Sequence, residues 1–221
     1  MQYNKKTRRY FMISMLLLLL SSGALLLGCV DDGIETIGET ANELEETHGQ
    51  TVEELNLLLQ DEAELQTRFE ETLDTDDDLS TLGDGSSAVF SNLSDRRERM
   101  DRFEALEEEY AAHAESLRDY EGERLDENEL DTLAADIDQF LETLGTFREE
   151  YEDTIEAQER YFEGLADEDA TYDIFTDGIN ELNQQHETMR EHFYVLDEEL
   201  SHLAQQIEEL QRTIQEALEE E

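Results

Sequence analysis

The chain has 221 residues, of which 61 are acidic and 15 are basic, with no proline, no tryptophan and a single cysteine. A formal charge of −46 repels nucleic-acid phosphates and anionic lipid headgroups, so we expect no nucleic-acid partner and only nonspecific cation binding. One cysteine cannot form an intramolecular disulfide, and the scarcity of helix-breaking residues favours helical structure.

The N-terminal segment has the order of a secretory signal peptide. A basic region comes first and contains Lys5, Lys6, Arg8 and Arg9, and a leucine-rich apolar stretch follows at 11–20. The segment closes with Leu26, Leu27, Gly28 and Cys29. This ending resembles the bacterial lipobox, in which a diacylglycerol is placed on the cysteine before the chain is cleaved ahead of it.

The lipobox-like ending predicts a lipid anchor on the outer face of a membrane. Cys29 supplies the nucleophilic sulfur, Gly28 is small enough for a peptidase to approach, and Leu26 fits an apolar subsite. An uncleaved transmembrane helix is the alternative, because 11–27 is just long enough to span. The export route stays open, since Arg8 and Arg9 also resemble a twin-arginine motif. The predicted organisation is a removed signal peptide at 1–28, a lipidated tether at 29–33 and an acidic helical domain at 34–221.

After Cys29 the chain holds 11 arginines, no lysine and all 61 acids, a formal charge of −50. Apolar residues in this part recur at steps of three and four, which predicts amphipathic helices with one buried stripe. The first stripe is predicted to run over 34–73. In it we place His48, Val52, Leu59 and Leu73. The second and third stripes run over 89–117 and 130–165. The fourth runs over 175–214 with His186 at a buried position.

Four helical segments joined by shorter links predict an all-α fold, an elongated up-and-down antiparallel bundle of four long helices. Three helices with a protruding helical tail are the alternative, because the fourth segment is the longest. Acids and glycines at 74–87 and at 166–170 predict links at the distal tip. With an even number of helices, both chain ends then lie at the membrane-proximal end.

Two patterns suggest metal ligands and are better explained otherwise. His48 follows Glu45, and His202 follows Glu199, at the spacing of di-iron bundles. Glutamate is so frequent that this spacing is expected by chance, and we predict no metal site. The acids at 74, 76 and 78 begin like a calcium loop, but Leu79 and Gly85 stand where its glycine and glutamate belong, which indicates a solvated turn.

A cluster of arginines is the remaining candidate site and consists of Arg96, Arg97, Arg99 and Arg102. These side chains are candidates for docking an anionic partner such as a cell-wall polymer. The alternative is pairing with acids of the same or a neighbouring helix. Nucleophile motifs, phosphate-binding glycine loops and zinc patterns do not occur in the sequence, so we predict no cofactor and no enzyme activity.

The layout of lipobox, short tether and helical bundle resembles the YkyA-type putative cell-wall binding lipoproteins of Gram-positive bacteria. The most similar stretch runs from Tyr151 through Tyr161, a short acidic turn and Ile179-Asn180 to Leu203. The resemblance implies a bundle outside the cytoplasmic membrane, associated with the wall and without catalytic residues. The absence of lysine after Lys6 departs from the family's usual composition.

The expected function is therefore a non-enzymatic, lipid-anchored spacer or docking protein of the envelope. Two alternatives remain, a metal-dependent or hydrolytic envelope enzyme and an adaptor that binds a membrane protein.

Overall fold

The computed structural model describes residues 33–219, which are helical apart from short links. Their helices are α1 (Ile34–Thr75), α2 (Ser80–Gly83), α3 (Ala88–Arg118), α4 (Glu127–Gly164) and α5 (Tyr172–Glu219). No strand occurs among these residues, which confirms the predicted all-α class. The predicted signal peptide, Cys29 and most of the tether lie outside the described residues.

The four long helices form an up-and-down bundle, in which each packs against two neighbours. α3 lies between α1 and α4, and α5 closes the ring by packing on both α4 and α1. The four-helix prediction is therefore confirmed, and the arrangement with a protruding tail is excluded. The short α2 lies within the predicted link at 74–87 and packs on α4.

One end of the bundle, here called the base, holds Gly33, the link between α3 and α4, and the end of α5. The Arg124 guanidinium of the link donates a hydrogen bond to the carbonyl of Ala217. The Tyr120 ring lies beside Gly33, and its hydroxyl accepts from the backbone N–H groups of Arg124 and Leu125 at 3.2 Å each. The opposite end, the tip, holds the links that follow α1 and α4.

Polar side chains define where two of the helices begin. The Ser87 hydroxyl accepts from the backbone N–H of Val89 at the start of α3. Asp126 does the same for Asn128 at the start of α4, where Glu127 and Glu129 also suit the helix dipole. The acidic residues at 126–129 thus stabilise the start of α4.

Aromatic side chains dominate the centre of the core. The Phe147 ring of α4 lies 6.2 Å from the ring of Phe103 on α3, and 5.1 Å from that of Phe193 on α5. Tyr110 and Phe140 join α3 to α4 closer to the base, at 5.2 Å between ring centroids. The predicted stripes over 89–117 and 130–165 are both buried and face one another through these contacts.

Over part of α1 the buried residues lie one position before those predicted, so the predicted stripe is wrong there. Val52, Leu59 and Leu73 are exposed and His48 is half-buried, while Thr47, Thr51 and Leu58 are buried instead. Both patterns follow steps of three and four, so the spacing alone does not separate them. Polar partners on α3 draw the threonines inward. The buried position predicted for His186 is also wrong, because most of that side chain is exposed.

The half of α5 nearest the tip packs less deeply than the rest. Over 172–188 none of its residues is buried, and Phe175, Ile179 and Leu182 are half-buried. From Met189 to Ile214 the predicted stripe reaches the core. In the half nearest the tip, the Tyr161 ring of α4 lies over Gly178 of α5. The Tyr161 hydroxyl donates to the carbonyl of Phe175 at 3.2 Å.

We expect two glycine-to-alanine changes in helices to have opposite effects. A Cβ on Gly178 would stand 2.1 Å from Tyr161 Cε2, whereas nothing lies within 4 Å of a Cβ on Gly49 in α1. Gly49→Ala should raise the free energy of unfolding by about 0.5–1 kcal/mol, because alanine loses less backbone entropy. Gly178→Ala should lower it by about 1–3 kcal/mol through overpacking. Urea unfolding measures both, and stabilisation by Gly178→Ala would contradict the close approach.

Candidate functional site

The arginine cluster of α3 lies against the acids of neighbouring helices. Arg96 is fully buried, with no exposed side-chain surface. Its Nε donates to the hydroxyl of Tyr151 at 2.8 Å, and its Nη1 donates to Oε1 of Gln158 at 2.6 Å, both on α4. An arginine in the core is held in place only when its N–H groups find such partners.

The other helices complete this site, here called the interior cluster and made of Glu62, Arg96, Tyr151, Gln158 and His186. Glu62 of α1 accepts from the Tyr151 hydroxyl at 2.9 Å and lies 3.7 Å from Arg96 Nη2. His186 Nδ1 of α5 lies 3.7 Å from the other Glu62 oxygen. Burial raises the pKa of Tyr151 well above its usual value, so its hydroxyl keeps the proton that it donates. All four long helices thus contribute to one charged site.

Two more arginines connect α3 to α1. Arg99 Nε donates to Asp61 Oδ2 at 2.6 Å, and its Nη1 donates to Glu54 Oε2 at 2.9 Å. Arg102 Nη1 donates to the other oxygen of Glu54 at 2.6 Å. Glu54 is buried, so these charge-assisted bonds are less screened than surface pairs.

Arg97 faces α4 and not α1. It pairs with Glu159 of α4 at 3.0 Å, and both side chains are partly exposed. All four arginines are therefore engaged within the bundle, which is the intramolecular alternative held open by the sequence. Arg96 is inaccessible to an external partner. The docking of an anionic partner stays a prediction, and it now rests on the exposed surfaces of Arg97 and Arg102.

Polar contacts continue along the whole interface between α1 and α3, here called the polar seam. Near the base the hydroxyls of Thr40 and Ser116 lie 2.7 Å apart, and near the tip those of Thr72 and Ser87 lie 2.6 Å apart. Between them, the Thr47 hydroxyl lies 3.2 Å from His113 Nε2. Burial lowers the pKa of His113, which keeps the ring neutral near pH 7.

The residues considered as metal ligands lie apart from one another. Within residues 33–219, no group of three or more His, Cys, Asp or Glu side chains is arranged to hold a metal ion. His202 Nε2 lies 3.3 Å from Asp136 Oδ2 on α4. In the calcium-like stretch, Asp76 accepts from the backbone N–H and the hydroxyl of Thr81, at 2.7 and 2.6 Å. These bonds lower the pKa of Asp76 to about 2, and they fold the turn.

The fold and its interior define a class of protein, a long and highly acidic four-helix bundle joined inside by arginine–carboxylate contacts. None of the helices described for 33–219 is long and apolar enough to cross a membrane.

The chain belongs to the YkyA family, described as putative cell-wall binding lipoproteins, whose family model matches residues 32–219. The resemblance seen in the sequence is thereby confirmed. The family description names binding lipoproteins, not enzymes, and associates them with the cell envelope. Comparison with curated proteins and with solved structures finds no match for the chain.

Proposed function

We propose that this chain is a non-enzymatic lipoprotein, anchored through lipid on Cys29 to the outer face of the cytoplasmic membrane, whose bundle docks or spaces cell-wall material. The position of Gly33 at the base carries this proposal. The lipobox-like sequence lies directly before it, and α5 ends beside it. An anchor attached there leaves the tip and the long helical sides open to the envelope.

Chain length sets how far such a bundle would reach. Three residues lie between Cys29 and Gly33, so an extended tether covers four Cα–Cα steps and spans at most about 14 Å. α1 has 42 residues and is therefore about 63 Å long. An upright bundle would hold its tip roughly 60 Å or more above the point of attachment. This reach suits a spacer or docking role between membrane and wall.

The interior cluster supports a role without catalysis. Its arginine is wholly enclosed. Arg96 Nε, Arg96 Nη1 and the Tyr151 hydroxyl donate to other members of the cluster, while Arg96 Nη2 makes no hydrogen bond and lies 3.7 Å from Glu62. Catalytic groups must reach a substrate in a cleft, whereas these charges join helices.

Replacing Cys29 with alanine should abolish lipid attachment and leave the signal peptide uncleaved. The reason is that the alkylated sulfur is the substrate of the processing step. Intact-mass spectrometry of membrane fractions should find acyl chains on wild-type Cys29 and an unprocessed, lipid-free Cys29→Ala chain. A Cys29→Ser variant serves as a close steric control without the sulfur. A wild-type N-terminus elsewhere, carrying no lipid, would refute the anchor.

We expect binding to purified cell walls to depend on divalent cations. The formal charge of −50 after Cys29 repels anionic wall polymers unless cations bridge the two surfaces. The full chain should sediment with walls in magnesium and stay in the supernatant after chelation. Equal sedimentation in both conditions would contradict cation bridging.

The same assay tests the docking prediction for the two accessible arginines of α3. Arg97→Gln with Arg102→Gln should weaken wall binding more than Arg160→Gln with Arg212→Gln, which removes the same charge from exposed sites on α4 and α5. Equal losses from both pairs would show that only net charge matters. No sedimentation under any condition would refute direct wall binding.

A further inference from the structure

Within residues 33–219 the exposed large apolar side chains lie only on α1 and α5, and α3 and α4 contribute none. They are Val52, Leu59, Leu73, Tyr172, Ile174, Tyr194, Val195 and Leu218. Single exposed apolar residues need no explanation, but several along one groove mark an interaction site.

Part of this set lines a groove along the surface where α1 and α5 meet, here called the α1–α5 groove. Its walls carry Val52, Leu55 and Leu59 from α1, with Phe193, Tyr194 and Leu200 from α5. The groove encloses about 520 Å³ and is mostly apolar. Towards the base, Gln211 donates to Glu45 at 2.8 Å and joins the two helices. Towards the tip, they approach again at His186 and Glu62.

A buried polar atom in the groove wall also lacks a partner. His48 Nδ1 is inaccessible to solvent and makes no hydrogen bond within the described part of the chain. Burial lowers the pKa of His48, so the ring is neutral near pH 7. A neutral imidazole nitrogen left unbonded costs free energy, which a hydrogen-bond donor placed at this wall would recover.

The surroundings of the groove are strongly acidic. The two stretches that form it, 45–60 and 187–204, contain nine acids and one arginine. That arginine, Arg190, is paired with Glu187 at 2.7 Å. Glu54 bonds to arginines of α3 and Glu199 bonds to α4, which leaves seven acids for the rest of this surface. A second copy of this chain would bring a similar negative surface against the first and is disfavoured by repulsion. An occupant with positive charge on either side of an apolar strip is complementary to this surface.

We propose that the α1–α5 groove binds a basic amphipathic helix of a partner protein, with its apolar face against Val52, Leu59 and Tyr194 and its Lys and Arg side chains along the acidic rim. The groove runs between two long helices, which is the geometry of helix-in-groove recognition. Over 48–59 it is about 18 Å long, enough for three helical turns. This site goes beyond wall binding and does not require it.

The test uses the full chain held on a sensor surface by a C-terminal tag, so that neither wall nor membrane is present. The probe is a helical peptide of about 18 residues with leucine at steps of three and four and lysine elsewhere. Two control peptides have the same composition in scrambled order, or glutamate in place of lysine. We expect the first peptide to bind more tightly than both, and still to bind at ~0.5 M salt, where purely electrostatic attraction is screened.

Matched variants decide whether the groove is the site. Leu59→Gln with Tyr194→Ser should weaken binding at least about tenfold. Leu73→Gln with Tyr172→Ser, outside the groove, should change it less than about twofold. The pairs match in exposure, with 44% against 45% for the leucines and 66% against 78% for the tyrosines. Because all four are exposed, the fold should survive.

Several results would overturn the proposal. Equal losses from the two pairs, equal binding of the scrambled peptide or complete loss of binding at high salt would show nonspecific attraction to an acidic rod. If sedimentation equilibrium finds a dimer of the wild-type chain that only the groove variant fails to form, the occupant is a second copy of the chain. If the protein binds vesicles of zwitterionic phosphatidylcholine, which have no net charge, and the groove variant does not, the occupant is lipid.

Discussion

Replacing Arg96 with methionine should lower the free energy of unfolding by about 3–5 kcal/mol, because it leaves the Glu62 carboxylate, only 9% exposed, without its cation. The Tyr151 hydroxyl and the Gln158 amide would lose charged partners in the same step. Methionine preserves much of the side-chain volume, so the loss reports on charge and hydrogen bonding more than on a cavity. Denaturant unfolding followed by circular dichroism measures the effect.

Two further variants make this expectation specific. Arg160→Met breaks an exposed pair with Glu156 and should change stability by no more than about 0.5 kcal/mol. Arg96→Met combined with Glu62→Gln should be more stable than Arg96→Met alone, since the second change removes the uncompensated charge. If Arg96→Met costs no more than Arg160→Met, the interior cluster does not hold the bundle together.

Leu203→Asp should destabilise the bundle by at least about 4 kcal/mol, since it removes a buried leucine and places a carboxylate in an apolar site. Leu203 lies in the core on the predicted stripe of α5. Thermal melts monitored by circular dichroism would show the effect as a large fall in melting temperature.

Two control variants test whether the loss comes from the introduced charge or from the burial of this face of α5. Glu208→Gln alters an exposed residue of the same helix and should shift stability by no more than about 0.5 kcal/mol. Leu203→Ala should cost about 2–5 kcal/mol and remains measurable if the aspartate variant does not fold. Equal effects of Leu203→Ala and Glu208→Gln would mean that this face of α5 is not buried.

The sequence predicted the helices well because apolar residues recur at steps of three and four along each of them. The stripes of α3 and α4 are both buried as predicted. On α1 the pattern failed between Leu44 and Leu55, where threonines occupy the buried positions. A threonine on a helix can bond its own backbone, as Thr51 does to the carbonyl of Thr47 at 2.8 Å, and so enters the core at low cost. In a sequence pattern, such a threonine is assigned to the exposed face of the helix.

One interruption in the apolar pattern of α3 points to the interior cluster. Between Leu93 and Met100 the stripe of α3 lacks an apolar residue, and the position three after Leu93 is Arg96. What the sequence could not supply is the partner, because Glu62 is one of 61 acids and only the packing of α1 against α3 selects it. The α1–α5 groove was equally hidden, since the sequence predicts buried positions for Val52 and Leu59.

The polar seam also fixes how far along its axis α1 can stand relative to α3. A slide of one helical turn, about 5.4 Å, would carry Glu54 and Asp61 away from Arg99 and leave several charges without partners. The interface between α1 and α5 also has polar contacts, such as that of Gln211 with Glu45, but this one is exposed, and the apolar contacts beside it have no required direction. The α1–α3 interface therefore sets the relative height of its two helices more strictly than the α1–α5 interface does.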